Sequence, residues 1–209
     1  MLHDFMYYYL GCKLRREKIV DNQIRLTADR QNEIESIVDR IIEENGIDIP
    51  GFDLVSFLKE KKGFIIGIKA MDDDTTGILA INDDKCIVGD GNHKVIAVNS
   101  RLRYEPDFFQ RRRYIIAHEY AHSELHKQSN SLYAHRDTSK KNTVVEKEAD
   151  FFARCLLMPR KLIYEALNVE YAKDMKKDEK ISLVSRTFNV TEKKAKIRYE
   201  ELFESEAAR

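Results

Sequence analysis

His118-Glu119-Tyr120-Ala121-His122 sets two imidazoles four residues apart, with a carboxylate beside the first. On a helix, positions i and i+4 lie about 40° apart around the axis and one turn along it, so both rings face one side and can hold one metal ion. Water coordinated to a divalent cation has its pKa lowered to about 7, and Glu119 is placed to take that proton as a general base and return it to a leaving amine. This is the division of labour in metal-dependent peptide hydrolysis. Tyr114 to Ala117 supply an apolar lead-in, and Ala121 keeps the helix slim beside the metal.

A catalytic zinc site takes three protein ligands and leaves a fourth position open. By residue type, Glu146, Glu148, His126, His135 and Asp150 are candidates for the third. Glu146 and Asp150 stand i and i+4 on one predicted helix and share a face, from which Glu148 points roughly the other way. One of the two can therefore bind the metal while the other accepts the far N–H of a ligating imidazole, the bond that fixes a ring's tautomer. Glu146 is assigned to the metal and Asp150 to the imidazole. His126 continues the face of His118 and His122, but three ligands at i, i+4 and i+8 would stretch about 12 Å along the axis. One ion contacts its ligands at about 2.1 Å, so His126 is given a supporting role around the site. Zinc is the default for two histidines and a glutamate, and Mn2+ or Fe2+ also suit the set. The group that stabilises an oxyanion is left open among Tyr133, His135, Tyr164 and Tyr171.

Two helices must position these groups. One is predicted over about 106–127. The second runs over about 144–158 and is stopped by Pro159. A polar loop at 128–141 joins them. Upstream, Ile34, Ile37, Val38, Ile41 and Ile42 make one apolar stripe, closed by Asn45-Gly46 as a C-cap. Asp53 can cap a short helix through Leu58. Lys61-Lys62-Gly63 then breaks the helical texture. Strands are predicted at 64–69, 77–81, 85–88 and 94–98, with acidic and Asn/Gly turns between them. The triplet Asp72-Asp73-Asp74 reads as a solvated turn, and Arg111-Arg112-Arg113 as a solvated helix start. After Pro159 the pattern stays helical. Leu183 to Asn189 followed by Thr191 to Phe203, with Thr191 as a cap, has a helix-turn-helix texture. The expected division is an extension over 1–27, a catalytic domain over 28–160 and a helical C-terminal segment over 161–209.

Lys plus Arg total 36 and Asp plus Glu total 36, so no global charge draws the chain to nucleic acid or to an anionic membrane. Cys12, Cys86 and Cys155 are odd in number, far apart and free of any CxxC, which argues against a disulfide framework or a cysteine zinc site. The aromatic N-terminus is interrupted by Asp4 and has its basic residues after the apolar stretch, unlike a secretory signal. No run is long enough to span a bilayer. A cytoplasmic location is expected.

Tyr114 to His122, with His126 following, resembles the active-site helix of the ImmA/IrrE family of metallopeptidases. Glu146-Lys147-Glu148-Ala149-Asp150-Phe151-Phe152-Ala153, ending in Leu156-Leu157-Met158-Pro159, resembles that family's second motif. Gly46 to Pro50 with Asp53-Leu54 resembles its upstream segment. The likeness covers about residues 30–160. This chain has Asp150 where the family often has Asn, and Tyr120 where it often has a small or aliphatic residue. The resemblance implies an α+β, zincin-like minimal metallopeptidase of the gluzincin kind. Its small antiparallel or mixed sheet of three or four strands would pack on the active-site helix pair. It also implies that the first Glu of the second motif is the third ligand, in agreement with Glu146. The implied partner is a protein substrate, a helix-turn-helix repressor of a mobile element, phage or stress regulon.

Two functions of different class therefore stand. One is a site-specific metalloendopeptidase. The other is a metal-containing regulatory protein without proteolytic activity, in which the helix pair near 183–203 contacts DNA or a partner through Lys193, Lys194, Lys196 and Arg198. Glu192, Glu200 and Glu201 among those lysines weaken the second.

Overall fold

The computed structural model describes residues 26–81, 94–126, 132–134 and 143–204. The N-terminal aromatic stretch, the strand expected at 85–88, His135 and most of the 128–141 loop lie outside the described residues. The fold is α+β.

Helix α1 (Ala28–Asn45) starts at Thr27, whose side chain accepts from Arg30 N, and ends at Gly46, where φ is 62°. That left-handed turn is open to glycine without a steric penalty. Ile34, Val38 and Ile41 of the apolar stripe are buried, and Ile37 and Ile42 pack at its margins. Helix α2 (Leu54–Lys62) is capped by Asp53, which accepts from both Val55 N and Ser56 N, and stops at Gly63.

The chain then enters the sheet through β1 (Phe64–Lys69), β2 (Gly77–Ile81), β3 (Lys94–Asn99) and β4 (Leu132–Ala134). The strand order is β1-β3-β2-β4. β3 runs parallel to β1 and antiparallel to β2, and β2 is antiparallel to β4, so the sheet is mixed. Buried Asn99 ties the end of β3 to the turn before β2, donating to Asp72 O at 2.9 Å and to Thr75 O at 2.7 Å. Its Oδ1 accepts from Arg101 N and so opens the 3-10 turn Ser100–Tyr104.

Helix α3 (Phe108–Leu125) crosses the sheet and is buried on every side from Ile116 to His122. Helix α4 (Val144–Leu157) packs against it. Ala117 and Ala121 on α3 and Ala149 and Ala153 on α4 are fully buried, and such small side chains allow a close helix approach. On the flank of α3 away from the histidines, Tyr120 meets Phe57, Phe64 and Phe152 edge-on, with ring centroids 5.7–6.2 Å apart. This ring cluster joins α2, β1, α3 and α4. It gives Tyr120 a packing role where the related family often has a smaller residue.

Four more helices follow: α5 (Arg160–Leu167), α6 (Glu170–Lys173), α7 (Lys177–Phe188) and α8 (Glu192–Phe203). The turn between α7 and α8 uses Asn189 at φ 51°. Thr191 holds the N-cap position, but its side chain makes no capping hydrogen bond, unlike the expectation. Helix α8 is tied to the rest by charge. Arg198, 1% exposed, donates to Glu35 Oε1 of α1 at 2.5 Å and to Met158 O at 3.2 Å. Arg154 of α4 pairs with Glu201. Among the described residues no helix is long and apolar enough to cross a membrane.

Candidate metal centre

The helix α4 begins at Thr143, whose hydroxyl accepts from Glu146 N at 3.3 Å. That cap fixes the first turn and sends the Glu146 side chain toward α3. Three donors then converge from two helices. His118 Nε2 lies 3.2 Å from Glu146 Oε2 and 3.2 Å from His122 Nε2, and His122 Nε2 lies 3.6 Å from Glu146 Oε1. One ligand atom from each residue falls within 4.8 Å of the others. The set is two imidazoles and a carboxylate, the donor chemistry of a zinc site with one open position.

The far nitrogen of each imidazole is also engaged. His118 Nδ1 lies 3.3 Å from Asp150 Oδ1. That carboxylate accepts from the Tyr114 hydroxyl at 2.8 Å and lies 3.6 Å from Lys194 Nζ of α8. Burial alone would raise the Asp150 pKa. The bond to His118 and the nearby Lys194 and Arg154 instead hold it well below the usual carboxylate range. Lys194 sits 3.7 Å from the centre of the Tyr114 ring, and its burial lowers the ammonium pKa to about 8. On the other imidazole, His122 Nδ1 lies 3.3 Å from His126 Nδ1. His126 Nε2 lies 2.9 Å from Glu148 Oε2, and Arg30 of α1 grips both oxygens of Glu148.

Glu119 is 1% exposed, and its Oε2 is buried without a hydrogen-bond partner among the described residues. Burial pushes its carboxyl up to about 7, with His118 opposing and Glu146 adding. A buried carboxylate left open beside a three-donor cluster fits a group that works on a metal ion and its substrate. The residues present therefore suit a zinc ion at His118, His122 and Glu146, with Glu119 beside it.

The structure thus brings together His118, His122, Glu146, Glu119 and Asp150. His126 closes α3 as its C-cap, its N–H donating to His122 O at 3.1 Å. It stands off the donor cluster, as helix geometry requires. Glu148 points away from Glu146, as expected, and onto α1, where it is 8% exposed and bonded to Arg30 and His126. Two expectations need correction. Arg113 is not solvated: it donates to Phe52 O at 2.6 Å, lies over the Phe52 ring, and burial lowers its pKa to about 10. Of the four basic residues that suggested a DNA-binding face, Lys194 and Arg198 are spent inside the protein. Sequence reasoning also passed over Arg30 and the Tyr114 hydroxyl. Tyr114 had a signal, because it precedes His118 by one turn on the same face; Arg30 had none. Of the oxyanion candidates, Tyr164 packs on Phe203 and Tyr171 is exposed on α6.

A family model described as the IrrE N-terminal-like domain, peptidase M78, matches residues 67–200. Comparison with curated proteins yields no match. Among solved structures, a Mycobacterium tuberculosis transcriptional regulator is similar, with a TM-score of 0.50 and 19% identity over 80% of this chain and 47% of that one. This chain therefore spans about half the length of that regulator, and the likeness speaks to the fold alone. Both motif helices fall inside the matched region, and so does α8 as far as Glu200. The chain belongs to the IrrE N-terminal-like peptidase family, M78.

Proposed function

We propose that the protein is a zinc-dependent, site-specific endopeptidase whose substrate is a helix-turn-helix repressor of a mobile element, phage or stress regulon, met in the cytoplasm. The observation that carries the reading is the convergence of His118, His122 and Glu146 beside a buried oxygen of Glu119 that has no hydrogen-bond partner among the described residues. A zinc ion held by those three residues supplies Lewis acidity toward a peptide carbonyl and the attacking water. Glu119 would take a proton from the attacking water and hand it to the departing amine. Asp150 accepts the far N–H of His118 and holds that ring in register. The repressor as substrate rests on family membership, and the choice of zinc on the donor set.

A regulatory protein that only binds DNA through α7 and α8 is the weaker reading. Lys194 faces Asp150 and Tyr114, and Arg198 is buried against Glu35, so two of the four basic residues of α8 are turned inward and away from any phosphate backbone.

The test is co-expression with the helix-turn-helix repressor encoded nearest the gene, followed by intact mass analysis. Discrete fragments should form with the wild-type chain and vanish with Glu119→Gln or on chelation. An intact repressor with zinc-loaded wild type, or equal cutting by Glu119→Gln, would sink the assignment.

A further inference from the structure

Arg30 stands in the first turn of α1, outside the 67–200 stretch that matches the family. It is nonetheless three side chains from the ligand cluster. Its Nε donates to Glu148 Oε1 at 2.7 Å and its Nη2 to Glu148 Oε2 at 2.9 Å, a two-pronged grip that only a guanidinium makes. Glu148 Oε2 also meets His126 Nε2 at 2.9 Å, and His126 Nδ1 meets His122 Nδ1 at 3.3 Å.

One consistent set of donor and acceptor roles runs along this line. A guanidinium can only donate, and a carboxylate held by it can only accept. His126 Nε2 must then carry the hydrogen. A neutral imidazole with its hydrogen on Nε2 offers a lone pair at Nδ1. His122 Nδ1 must therefore carry the hydrogen that fills the gap. That leaves the lone pair of His122 on Nε2, the atom 3.2 Å from His118 Nε2 and 3.6 Å from Glu146 Oε1. The opposite tautomer would aim an N–H at the cluster, where it cannot coordinate.

We propose that Arg30 is a positioning residue of the metal centre, acting through Glu148 and His126 to keep the lone pair of His122 turned toward His118 and Glu146. The inference rests on the ligand set given under Proposed function. The grip is also oriented mechanically: Glu33 holds Arg30 Nη1 at 2.7 Å from the solvent side, and Glu148 stays on the α1 side of α4. A purely structural tie between α1 and α4 would need none of the His126 geometry.

Zinc affinity separates the two, measured by competition with a chromophoric chelator on metal-free full-length protein, with the melting of the metal-free form followed in parallel. Arg30→Met and Glu148→Gln should each weaken zinc binding about 10- to 100-fold. The double variant should be no weaker than the worse single, because both break one line. Arg30→Lys, which offers a point charge instead of a fork, should fall between wild type and Arg30→Met, and it serves with Glu148→Gln should Arg30→Met fail to fold. Zinc affinity within twofold of wild type in folded variants, with only the melting lowered, overturns the proposal. Losses that multiply in the double variant overturn it too, since they would mark two unrelated defects. A wild-type chain that fails to bind zinc would instead remove the ligand set itself.

Discussion

Gly77 at the start of β2 faces Glu119 with no room to spare. A Cβ built there would lie 2.9 Å from Glu119 Oε1 and 2.5 Å from Ile115 Cγ2. Real side chains do not approach that closely, so the absence of a side chain at this position is what lets the carboxylate sit between strand and helix. Gly77→Ala should displace Glu119 while leaving His118, His122 and Glu146 in place. The expected outcome is a fall of at least tenfold in kcat with zinc affinity near wild type, measured on whatever repressor the co-expression assay identifies. Unchanged turnover would mean that Glu119 can move away at no cost.

Glu119→Gln makes the complementary test. It removes the base and keeps the shape, so zinc binding should persist while cleavage falls about 10²- to 10⁴-fold. Retained zinc should be read by elemental analysis and lost activity by fragment yield.

Zinc binding should depend on pH in a defined direction. Burial opposes a charge on His118, but Asp150, Glu146 and Glu119 outweigh it and raise the imidazole to about 9 in the metal-free protein. Coordination needs the neutral ring. Zinc affinity should therefore climb as pH rises toward about 9 and level off above it, by about tenfold per unit for this proton. Stability runs the other way in the metal-free form. Since the folded value exceeds the ordinary 6.5, the contribution of this group is complete below about 6.5 and is lost as pH rises through about 9. Chelator competition across pH 6 to 9 and urea melts of the metal-free chain check the two halves.

The ion pair between Glu35 and Arg198 should be costly to break. Arg198 is 1% exposed, and Glu35→Ala would leave its charge buried with weaker partners. Losing one partner of such a pair costs about 3–5 kcal/mol. Equilibrium urea unfolding should show that loss; a change below about 1 kcal/mol would mean that water reaches Arg198 or that Glu201 takes over.

Cys155 should be silent toward thiol reagents in the native state. It is 1% exposed, and burial pushes its thiol up to about 12. Labelling followed by peptide mapping should find it modified only after denaturation.

Much of this architecture was readable in advance because local chemistry and burial agreed. Gly46 and Gly63 end helices through their left-handed backbone, and Asp53 begins one through its capping carboxylate. The two motif helices fall within two residues of expectation because Pro159 and the apolar runs leave little freedom. That Glu146 and Asp150 share one face, here the one turned to His118, followed from helical periodicity. Periodicity could not say what lies beyond the opposite face. For Glu148 that face is α1 and not water, so the carboxylate gained Arg30 and His126. Arg113 and Lys194 misled for the same reason: in a sequence, a charged residue on a helix looks solvated until another element packs over it. β4 is three residues within a polar stretch, too short to leave an alternating pattern.

One consequence concerns synthesis. Translation completes His118, His122 and Glu146 well before it reaches Lys194. A chain ending at Pro159 would already hold His118, His122 and Glu146, yet Asp150 would lack the lysine whose ammonium lies 3.6 Å from it in the finished fold. The surroundings of Asp150 are therefore complete only once α8, which carries Lys194, has docked.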